Sequence, residues 1–241
     1  MATLIDNFFM TKKQNILSIP FFNRDSCKVA EDLLGKIIRK KFDENWLSAQ
    51  IIETEAYYIN EKGSHASLGF TEKRKALFMP PGTIYMYYAR GKDSFNISCK
   101  GKGNAVLIKS GIPYLDEMTP ENMIKIMQLN NPANNEILPR LPLKLCSGQT
   151  LLCKSLGITV KEWDQGQFDT NQFFIEDVDL QPNKIIKAKR LGIPLSRDEH
   201  LFYRFIDFDN VKYCTKNPLT VRKNQLGTDY FIKKPSRFLC P

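Results

Sequence analysis

Two glutamates on one short apolar stretch are the residues whose types and spacing most clearly allow chemistry. Glu53 and Glu55 lie in Ile51–Tyr57, whose composition predicts a strand. Because side chains alternate between the faces of a strand, Ile51, Glu53, Glu55 and Tyr57 are expected to share one side. A carboxylate withdrawn from water beside a tyrosine has a raised proton affinity and can act as a general base near neutral pH.

The same pattern has two other interpretations. In the first, Glu53 and Glu55 lie in water on a salt-bridged edge strand, which avoids the cost of burying a charge, and the alternation alone favours this interpretation. In the second, the two carboxylates flank a scissile bond in RNA or in a nucleotide. Same-face neighbours lie about 6–7 Å apart along a strand, which does not exclude a hydrolytic pair.

Two further polar residues stand out by type. His65 lies in the polar segment 61–75, where it is either a surface imidazole or a hydrogen-bond donor and stacking wall for a ligand. Asn96 lies in the middle of a predicted strand, and asparagine is a poor strand former. Its position indicates either a pocket residue or a β-bulge.

The positive charge of the chain is concentrated in one window. Lys and Arg number 35 against 26 Asp and Glu, which gives a net charge of +9. Residues 62–109 hold nine of the basic residues and two acidic ones, together with Tyr85, Tyr87, Tyr88 and Phe95. Cations on turns beside aromatic strands suit the binding of phosphates and the stacking of bases. Lysines that keep hairpin turns soluble and prevent sheet edges from pairing with other chains explain the pattern equally well.

Alternating apolar segments and turn residues predict an α+β fold, in which a curved, mainly antiparallel sheet forms a single domain with flanking helices. The predicted helices run from a capping Asp25 to Gly35, from Thr119-Pro120 through Met127, and from a capping Ser147 through Leu156 to Gly157. The predicted strands are Ile37–Phe42, Trp46–Tyr58, Thr83–Tyr88, Ser94–Cys99, Ala105–Lys109, Phe173–Glu176 and Ile185–Arg190.

Three parts of the chain differ in composition. We expect a loosely held arm at residues 1–20, the main domain at residues 21–215 and a basic extension at residues 216–241. The extension contains six basic residues and one acidic residue. It is either an accessory DNA contact or a solvated tail, and the tail is the simpler interpretation.

The cysteines and the apolar segments exclude several classes of protein. Six cysteines without metal-ligand spacing, and only two histidines, predict free thiols, no metal site and no cofactor. Asp6 and the pair Lys12-Lys13 interrupt the apolar residues near the start, so no secretory segment is predicted. No segment has the length needed to span a membrane. We therefore expect a cytoplasmic protein that acts as a monomer.

Five motifs, in this order, closely resemble the alkyladenine (3-methyladenine) DNA glycosylase family. Each motif alone is weak, but the ordered set is specific and extends from about Phe21 to Phe208. The motifs are IIETEAY at Ile51–Tyr57, SHA at Ser64–Ala66, FMPPGTIYMY at Phe78–Tyr87, FNIS at Phe95–Ser98 and LCSGQTLLCKSL at Leu145–Leu156.

The resemblance implies a monofunctional glycosylase that acts on double-stranded DNA containing damaged purines such as 3-methyladenine, hypoxanthine or ethenoadenine. The damaged nucleotide would be flipped into a pocket. Glu55 would deprotonate the water that attacks the sugar and would stabilise the oxocarbenium-like sugar. Tyr57, Tyr87 and His65 would enclose the base, and Asn96 would exclude the amino group of guanine. No lysine is implied as a nucleophile, so no strand-cleaving lyase step is expected.

The chain departs from the family pattern at the protruding hairpin that is expected to enter the DNA. The run after Tyr87 is Tyr88-Ala89-Arg90-Gly91-Lys92, without the usual aromatic residue before the glycine. Tyr88, Arg90 or Lys92 would therefore be the wedge. Lys109 stands where the family has a basic residue near the sugar-phosphate, commonly arginine, and a lysine cannot make a bidentate phosphate contact.

One alternative function remains open beside the glycosylase. A protein on the same scaffold could bind nucleic acid without cleaving it. It would keep the basic turns and the aromatic residues, but it would not need a carboxylate at Glu55 that faces the pocket.

Overall fold

The computed structural model describes residues 14–133 and 138–235. Within them, nine antiparallel strands form one open sheet with helices packed on it, which confirms the α+β prediction. The strands are β1 (Ile37–Phe42), β2 (Asn45–Tyr57), β3 (Ile84–Ala89), β4 (Lys92–Ser98), β5 (Ala105–Pro113), β6 (Phe173–Glu176), β7 (Ile185–Ala188), β8 (Arg204–Asp207) and β9 (Tyr230–Lys233). The α-helices are α1 (Ile19–Phe22), α2 (Ser26–Asp32), α3 (Met123–Asn130), α4 (Gln149–Leu156) and α5 (Val160–Trp163). Short 3-10 helices span His65–Leu68, Glu72–Phe78, Pro142–Lys144, Val211–Tyr213 and Pro218–Thr220.

The longest strand, β2, lies at the centre of the sheet. Along one edge it pairs with β5, and along the other it pairs first with β1 and then with β8. The sheet order is β3-β4-β5-β2-β8-β7-β9, and β6 extends it on the far side of β1. Glu53 and Glu55 on β2 are each 0% exposed. The interpretation of an edge strand with both glutamates in water is therefore wrong.

Two bulges interrupt the pairing of β2 with β5. Ile52 is an extra residue on β2, and Lys109 is an extra residue on β5. A bulge of one residue shifts the alternation of side chains between the two faces. Ile51 and Ala56 are an odd number of positions apart, so regular alternation would place their side chains on opposite faces of the sheet. Both nevertheless pack in the main core. The prediction that Ile51 shares a face with the two glutamates is wrong for this reason.

The main core fills the space between the sheet and helices α2, α3 and α4. The side chain of Asp25 accepts a hydrogen bond from the backbone N–H of Lys28, so it caps α2 as predicted. On β2, the hydroxyl of Thr54 donates to the carbonyl of Ala30 at 2.7 Å, which ties the central strand to this helix. Each fully buried leucine-sized side chain stabilises the layer by about 1.5–3 kcal/mol, so β2 is held firmly from its core side.

Helix α4 begins later than the sequence predicts. Gly148, with a φ of 109°, occupies its N-cap, and the hydroxyl of Ser147 donates instead to the carbonyl of Tyr213 at 2.5 Å. The prediction of Ser147 as the cap is therefore wrong. Gly157 ends the helix as predicted, because its φ of 67° is left-handed and an added Cβ would lie 2.5 Å from the ring of Phe42.

Most predicted strands are confirmed, and two strands were not predicted. The bounds of β1 and β6 agree with the prediction, while β5 continues beyond its predicted end to Pro113. The segment 61–75, predicted as a loop, contains the helix His65–Leu68 and most of a second 3-10 helix. The unpredicted strands are β8 and β9, each four residues long.

Both ends of the described chain are attached to the sheet. Ile16 forms a β-bridge with Glu176, and the N–H of Leu17 donates to the carbonyl of Ile175 at 2.8 Å, so residues 14–20 are not a loose arm. Strand β9 pairs with β7, so the prediction of a solvated tail is wrong for Tyr230–Lys233. The arm at 1–13 and the end of the extension at 236–241 lie outside the described residues.

The thiols and the apolar segments can be compared with the predictions only where the structure describes them. The free cysteines are Cys27, Cys99, Cys146, Cys153 and Cys214, and Cys240 lies outside the described residues. In residues 14–133 and 138–235, no helix is both long enough and apolar enough to cross a membrane. The same part of the chain contains no group of three or more His, Cys, Asp or Glu side chains placed to hold a metal ion.

Candidate active site

A cavity of about 670 Å³ lies against strands β2 to β5. Its volume is in the range of small-molecule binding sites, which are commonly apolar with a few polar groups. Six of the nine predicted site residues line this cavity, namely Tyr57, His65, Tyr87, Arg90, Asn96 and Lys109. Three others do not line it, namely Glu55, Tyr88 and Lys92.

The carboxylate of Glu55 lies one layer behind the cavity wall. Three groups that belong to cavity-lining residues hold it. The hydroxyl of Tyr57 donates to Oε2 at 2.7 Å, the N–H of Leu191 donates to Oε1 at 3.3 Å, and the ammonium of Lys109 lies 3.4 Å from Oε1. A water molecule that reaches this carboxylate from the cavity must therefore pass between these groups.

The charge state of Glu55 follows from these contacts. Burial by itself would raise the pKa of Glu55, but the positive charge of Lys109, the hydroxyl of Tyr57, the charge of Arg204 and the N–H of Leu191 together lower it below its usual value. The expectation of a raised proton affinity is wrong, because it considered burial without a neighbouring cation. Glu55 is ionised at neutral pH.

The bulge on β5 explains how Lys109 reaches Glu55. Lys109 and Ser110 are consecutive, so regular alternation would direct their side chains to opposite faces. Both instead turn to the glutamates of β2: Lys109 contacts Glu55, and the hydroxyl of Ser110 donates to Glu53 at 2.5 Å. A single extra residue therefore supplies a partner to each carboxylate.

Glu53 belongs to a separate buried network. It accepts hydrogen bonds from Nε of Arg204 at 2.7 Å, from the N–H of Thr215 at 2.9 Å and from the hydroxyl of Thr215 at 2.8 Å. Arg204 also donates to the carbonyl of Lys216 at 2.8 Å. Because Arg204, Thr215 and Ser110 occupy both carboxylate oxygens of Glu53, the arrangement does not fit a hydrolytic pair of Glu53 and Glu55.

Tyr57 rests against a buried ion pair. The guanidinium of Arg190 lies 4.4 Å from the centroid of the Tyr57 ring. It donates two hydrogen bonds to Glu61, at 2.7 and 2.5 Å, and a third to the carbonyl of Ala56 at 3.0 Å. The ion pair therefore supports the ring of Tyr57 where that ring lines the cavity.

Three further rings form an aromatic wall. Tyr85 and Tyr87 on β3 stack with their centroids 5.5 Å apart, and the imidazole of His65 lies 4.4 Å from the Tyr87 ring. Nδ1 of His65 is 3.0 Å from the hydroxyl of Tyr85. Burial, followed by the positive charges of Arg74 and Arg197, lowers the pKa of His65, so its imidazole is neutral at neutral pH. A neutral imidazole offers one donor and one acceptor.

Asn96 lies at the cavity in a regular part of β4. It pairs with Tyr85 on one side and with Leu107 on the other, so the interpretation as a bulge is wrong. Its side-chain Nδ2 donates to the carbonyl of Tyr85 at 3.2 Å, and the residue is 5% exposed. The amide is therefore held in place at the edge of the cavity.

The hairpin between β3 and β4 ends in a two-residue turn. Arg90 and Gly91 have φ values of 51° and 76°, and positive φ at both central positions is typical of a type I′ turn. Arg90 lines the cavity, whereas Tyr88 is 60% exposed and, by alternation, lies on the opposite face from Tyr87. Of the three wedge candidates, the structure brings only Arg90 to the cavity.

Several residues of the site were not identified from the sequence. They come from the segment that follows β7, from the start of α4 and from the segment beyond residue 211. The main ones are Arg190, Leu191, Arg197, Gln149 and Thr215. The run Leu191-Gly192-Ile193-Pro194, which breaks the alternation of β7, was the available signal for a loop at the site.

Comparisons with known proteins show the family of the chain. The sequence model of the family described as Methylpurine-DNA glycosylase (MPG) matches residues 20–211. A protein of Pseudomonas savastanoi pv. phaseolicola is 58% identical over 214 residues, which cover 88% of this chain and 94% of the relative. One of Pseudomonas fluorescens is 53% identical over 233 residues, with 96% and 100% covered. One of Clostridium beijerinckii is 32% identical over 209 residues, with 83% and 99% covered.

These three relatives carry the same name, "Putative 3-methyladenine DNA glycosylase". The family match covers every residue of the cavity except Thr215. The chain therefore belongs to the methylpurine-DNA glycosylase family and is a DNA-repair hydrolase that acts on N-glycosyl bonds.

Proposed function

We propose that this protein flips alkylated or deaminated purines out of duplex DNA and hydrolyses their N-glycosidic bond with a water activated by Glu55. The substrates would be 3-methyladenine-like bases, hypoxanthine and ethenoadenine, and the product would be an abasic site that enters base excision repair. The observation that carries the proposal is an ionised, fully buried carboxylate directly behind a cavity bounded by Tyr57 and Tyr87.

The cavity supports the recognition of a flipped base. Tyr57, Tyr87 and His65 offer ring faces and edges on which a purine can stack, and each stacked base adds about 1–3 kcal/mol of binding free energy. Alkylated purines are cationic and electron-poor, so stacking on tyrosine gains a cation–π contribution. The buried amide of Asn96 would conflict with the amino group of guanine and so exclude it.

The chemistry needs one proton acceptor and one negative charge. The oxygen of water forms a bond to C1′ as the bond from C1′ to the purine nitrogen breaks, and the proton of water passes to Glu55. An alkylated purine departs as a neutral molecule, because the bonding electrons cancel its positive charge. Hypoxanthine and ethenoadenine carry no such charge, so each departs as an anion whose ring nitrogen takes a proton from water. Before the transfer, the ionised Glu55 stabilises the oxocarbenium-like sugar. No metal, cofactor or lysine nucleophile takes part in this scheme.

The cations at the cavity support contacts to the DNA. Arg90 stands at the hairpin turn on the cavity side, so we assign it as the wedge that fills the space of the flipped nucleotide. Lys109 lines the cavity 3.4 Å from Oε1 of Glu55, so it would lie near the sugar-phosphate, and it balances the charge of that carboxylate. Tyr88 and Lys92 would meet the DNA outside the cavity, and the protein would act as a monomer.

Release of purines from defined duplexes tests this proposal. The protein is incubated with duplexes that contain 3-methyladenine, hypoxanthine or ethenoadenine, beside Glu55→Gln and the control Glu121→Gln, which replaces an exposed residue in the turn before α3. We expect release by the parent and the control but not by Glu55→Gln. Tight binding of the duplexes by all three without release would support the non-catalytic binding protein instead.

A further inference from the structure

Arg190 connects two of the three groups that hold Glu55. Its guanidinium stacks on the ring of Tyr57, whose hydroxyl donates to Oε2 of Glu55. The next residue along the chain, Leu191, donates its backbone N–H to Oε1 of the same carboxylate. One anchored side chain is therefore linked to both donors.

The anchor itself is buried and held by several hydrogen bonds. Glu61 and Arg190 form a bidentate pair and are 4% and 5% exposed, and the N–H of Tyr58 also donates to Glu61 at 2.7 Å. The third hydrogen bond of the guanidinium ends on the carbonyl of Ala56, between Glu55 and Tyr57 on β2. Paired, charge-assisted hydrogen bonds of this kind fix a side chain in both position and orientation.

We propose that Arg190, held by Glu61, is a positioning residue that sets the ring of Tyr57 as a stacking platform and keeps two hydrogen-bond donors on Glu55. The inference rests on the proposed role of Glu55. It assigns to Arg190 no contact with the substrate. A guanidinium suits this task better than an ammonium, because its planar fork can pair with a carboxylate and stack on a ring simultaneously.

Loss of the anchor has a definite electrostatic consequence. The charged and titratable groups that face Glu55 are Lys109 from β5, Arg204 from β8, Tyr57 from β2 and Tyr87 from β3. The two donors linked to Arg190, the hydroxyl of Tyr57 and the N–H of Leu191, both stabilise the ionised form of Glu55. If they are displaced, that stabilisation is lost, and only the charges of Lys109 and Arg204 still favour the ionised form. The pKa of Glu55 then rises, and activity that needs the ionised form is lost at a higher pH.

The experiment measures single-turnover release of hypoxanthine from a duplex as a function of pH. The variant Arg190→Lys keeps the charge but loses the planar fork, and Glu61→Gln keeps the volume of the partner but loses its charge. We expect the acid limb of the pH–rate profile, where the rate falls with decreasing pH, to move to higher pH by roughly one unit for Arg190→Lys. The displacement should be smaller for Glu61→Gln. If Arg190→Lys does not fold, Glu61→Gln decides the result.

Arg39 provides a matched control. It is another buried arginine paired with two carboxylates, Glu176 and Asp116, but it does not line the cavity. We expect Arg39→Lys to lower the thermal stability and to leave the acid limb in place. An equal displacement of the acid limb in Arg39→Lys and Arg190→Lys would show a general loss of stability and would overturn the proposal.

A second readout reports on the ring of Tyr57 and needs no catalysis. Binding is measured in the Glu55→Gln background to a duplex with ethenoadenine and to the same duplex with an abasic-site analogue, which has no base to stack. We expect Arg190→Lys to weaken binding to the ethenoadenine duplex about fivefold or more and to leave binding to the abasic analogue unchanged. Unchanged binding to both duplexes, together with an unmoved acid limb, would refute the role of Arg190.

The two proposals fail in different ways. If Glu55 is not the base, the parent shows no release, or Glu55→Gln releases the purine as the parent does. If only the role of Arg190 is wrong, the parent releases the purine, Glu55→Gln does not, and the Arg190→Lys profile coincides with that of the parent.

Discussion

The hydroxyl of Tyr57 donates a 2.7 Å hydrogen bond to Oε2 of Glu55, two residues earlier on the same strand. The ring that we propose as the stacking platform for a flipped base is thus also a partner of the carboxylate that we propose as the general base. In this proposal, a base that stacks on the ring and the water that attacks the sugar meet at one pair of side chains. The proposal therefore couples recognition and chemistry through the central strand β2.

Substitutions of Tyr57 test the contribution of its ring to binding. We expect Tyr57→Ala, combined with Glu55→Gln to prevent turnover, to weaken binding to an ethenoadenine duplex by about 1–3 kcal/mol, because a stacking face is lost. Tyr57→Phe keeps the ring and should bind like the parent. Fluorescence anisotropy of labelled duplexes measures both affinities. An unchanged affinity in Tyr57→Ala would remove this ring from the binding site.

The pH dependence of activity tests the pairing of Lys109 with Glu55. Because the pKa of Glu55 is lowered, the ionised carboxylate persists to low pH, and activity is lost only as the pH falls through that lowered pKa. Lys109→Met removes the cation, so the acid limb of the single-turnover rate should move to higher pH by about 1–3 units. Lys109→Arg keeps the charge and should keep the limb of the parent. An acid limb at the same pH in Lys109→Met as in the parent would contradict the pairing of Lys109 with Glu55.

The basic residues around the cavity predict a strong dependence on salt. Each phosphate contact contributes about 0.9 to the slope of log K against log salt concentration for duplex DNA. We expect Arg90→Ala to weaken lesion binding more than Tyr88→Ala does, because Arg90 stands on the cavity side of the hairpin. Titrations at several salt concentrations measure both effects. A flat response to salt, or a larger loss in Tyr88→Ala, would exclude this orientation of the hairpin.

The segment beyond residue 211 contributes to stability although it lies outside the family match. The hydroxyl of Thr215 donates to the buried carboxylate of Glu53 at 2.8 Å. Thr215→Val removes that donor at nearly constant volume, and the cost should be about 1–3 kcal/mol of unfolding free energy, as for other buried hydrogen bonds to charged groups. Urea unfolding measures it, with the exposed Thr220→Val as the control. Equal stabilities of the two variants would show that this contact does not stabilise the fold.

The sequence predicted the parts of the fold that follow from local patterns. Strand β1 and the hairpin of β3 and β4 have regular alternation and clear turn residues, so their positions were predictable. The bulges at Ile52 and Lys109 were not, because alternation in one strand contains no information about its partner strand. Strands β8 and β9 are short and carry charged residues, so they resemble loops.

The site was predicted in its aromatic and acidic parts but not in its buried cations. Arg190 and Arg204 are 5% and 2% exposed, and composition alone assigns arginine to the surface. Their partners, Glu61 and Glu53, lie more than 100 residues away in the chain. Long-range pairs of this kind depend on the strand order and could not be inferred from the sequence. The largest contribution that lowers the pKa of Glu55 comes from Lys109, which reaches this carboxylate through the bulge on β5, so the direction of the shift could not be inferred either. Burial alone would have predicted the opposite direction.

The most direct test of the central claim is the single-turnover rate of purine release at neutral pH by Glu55→Gln, measured on a duplex that the variant binds as tightly as the parent does. Loss of a positioned general base lowers such a rate by about 10²–10⁴-fold, and we expect a loss in that range or greater. The Glu121→Gln control should retain the rate of the parent. Release by Glu55→Gln within a few-fold of the parent would contradict the account.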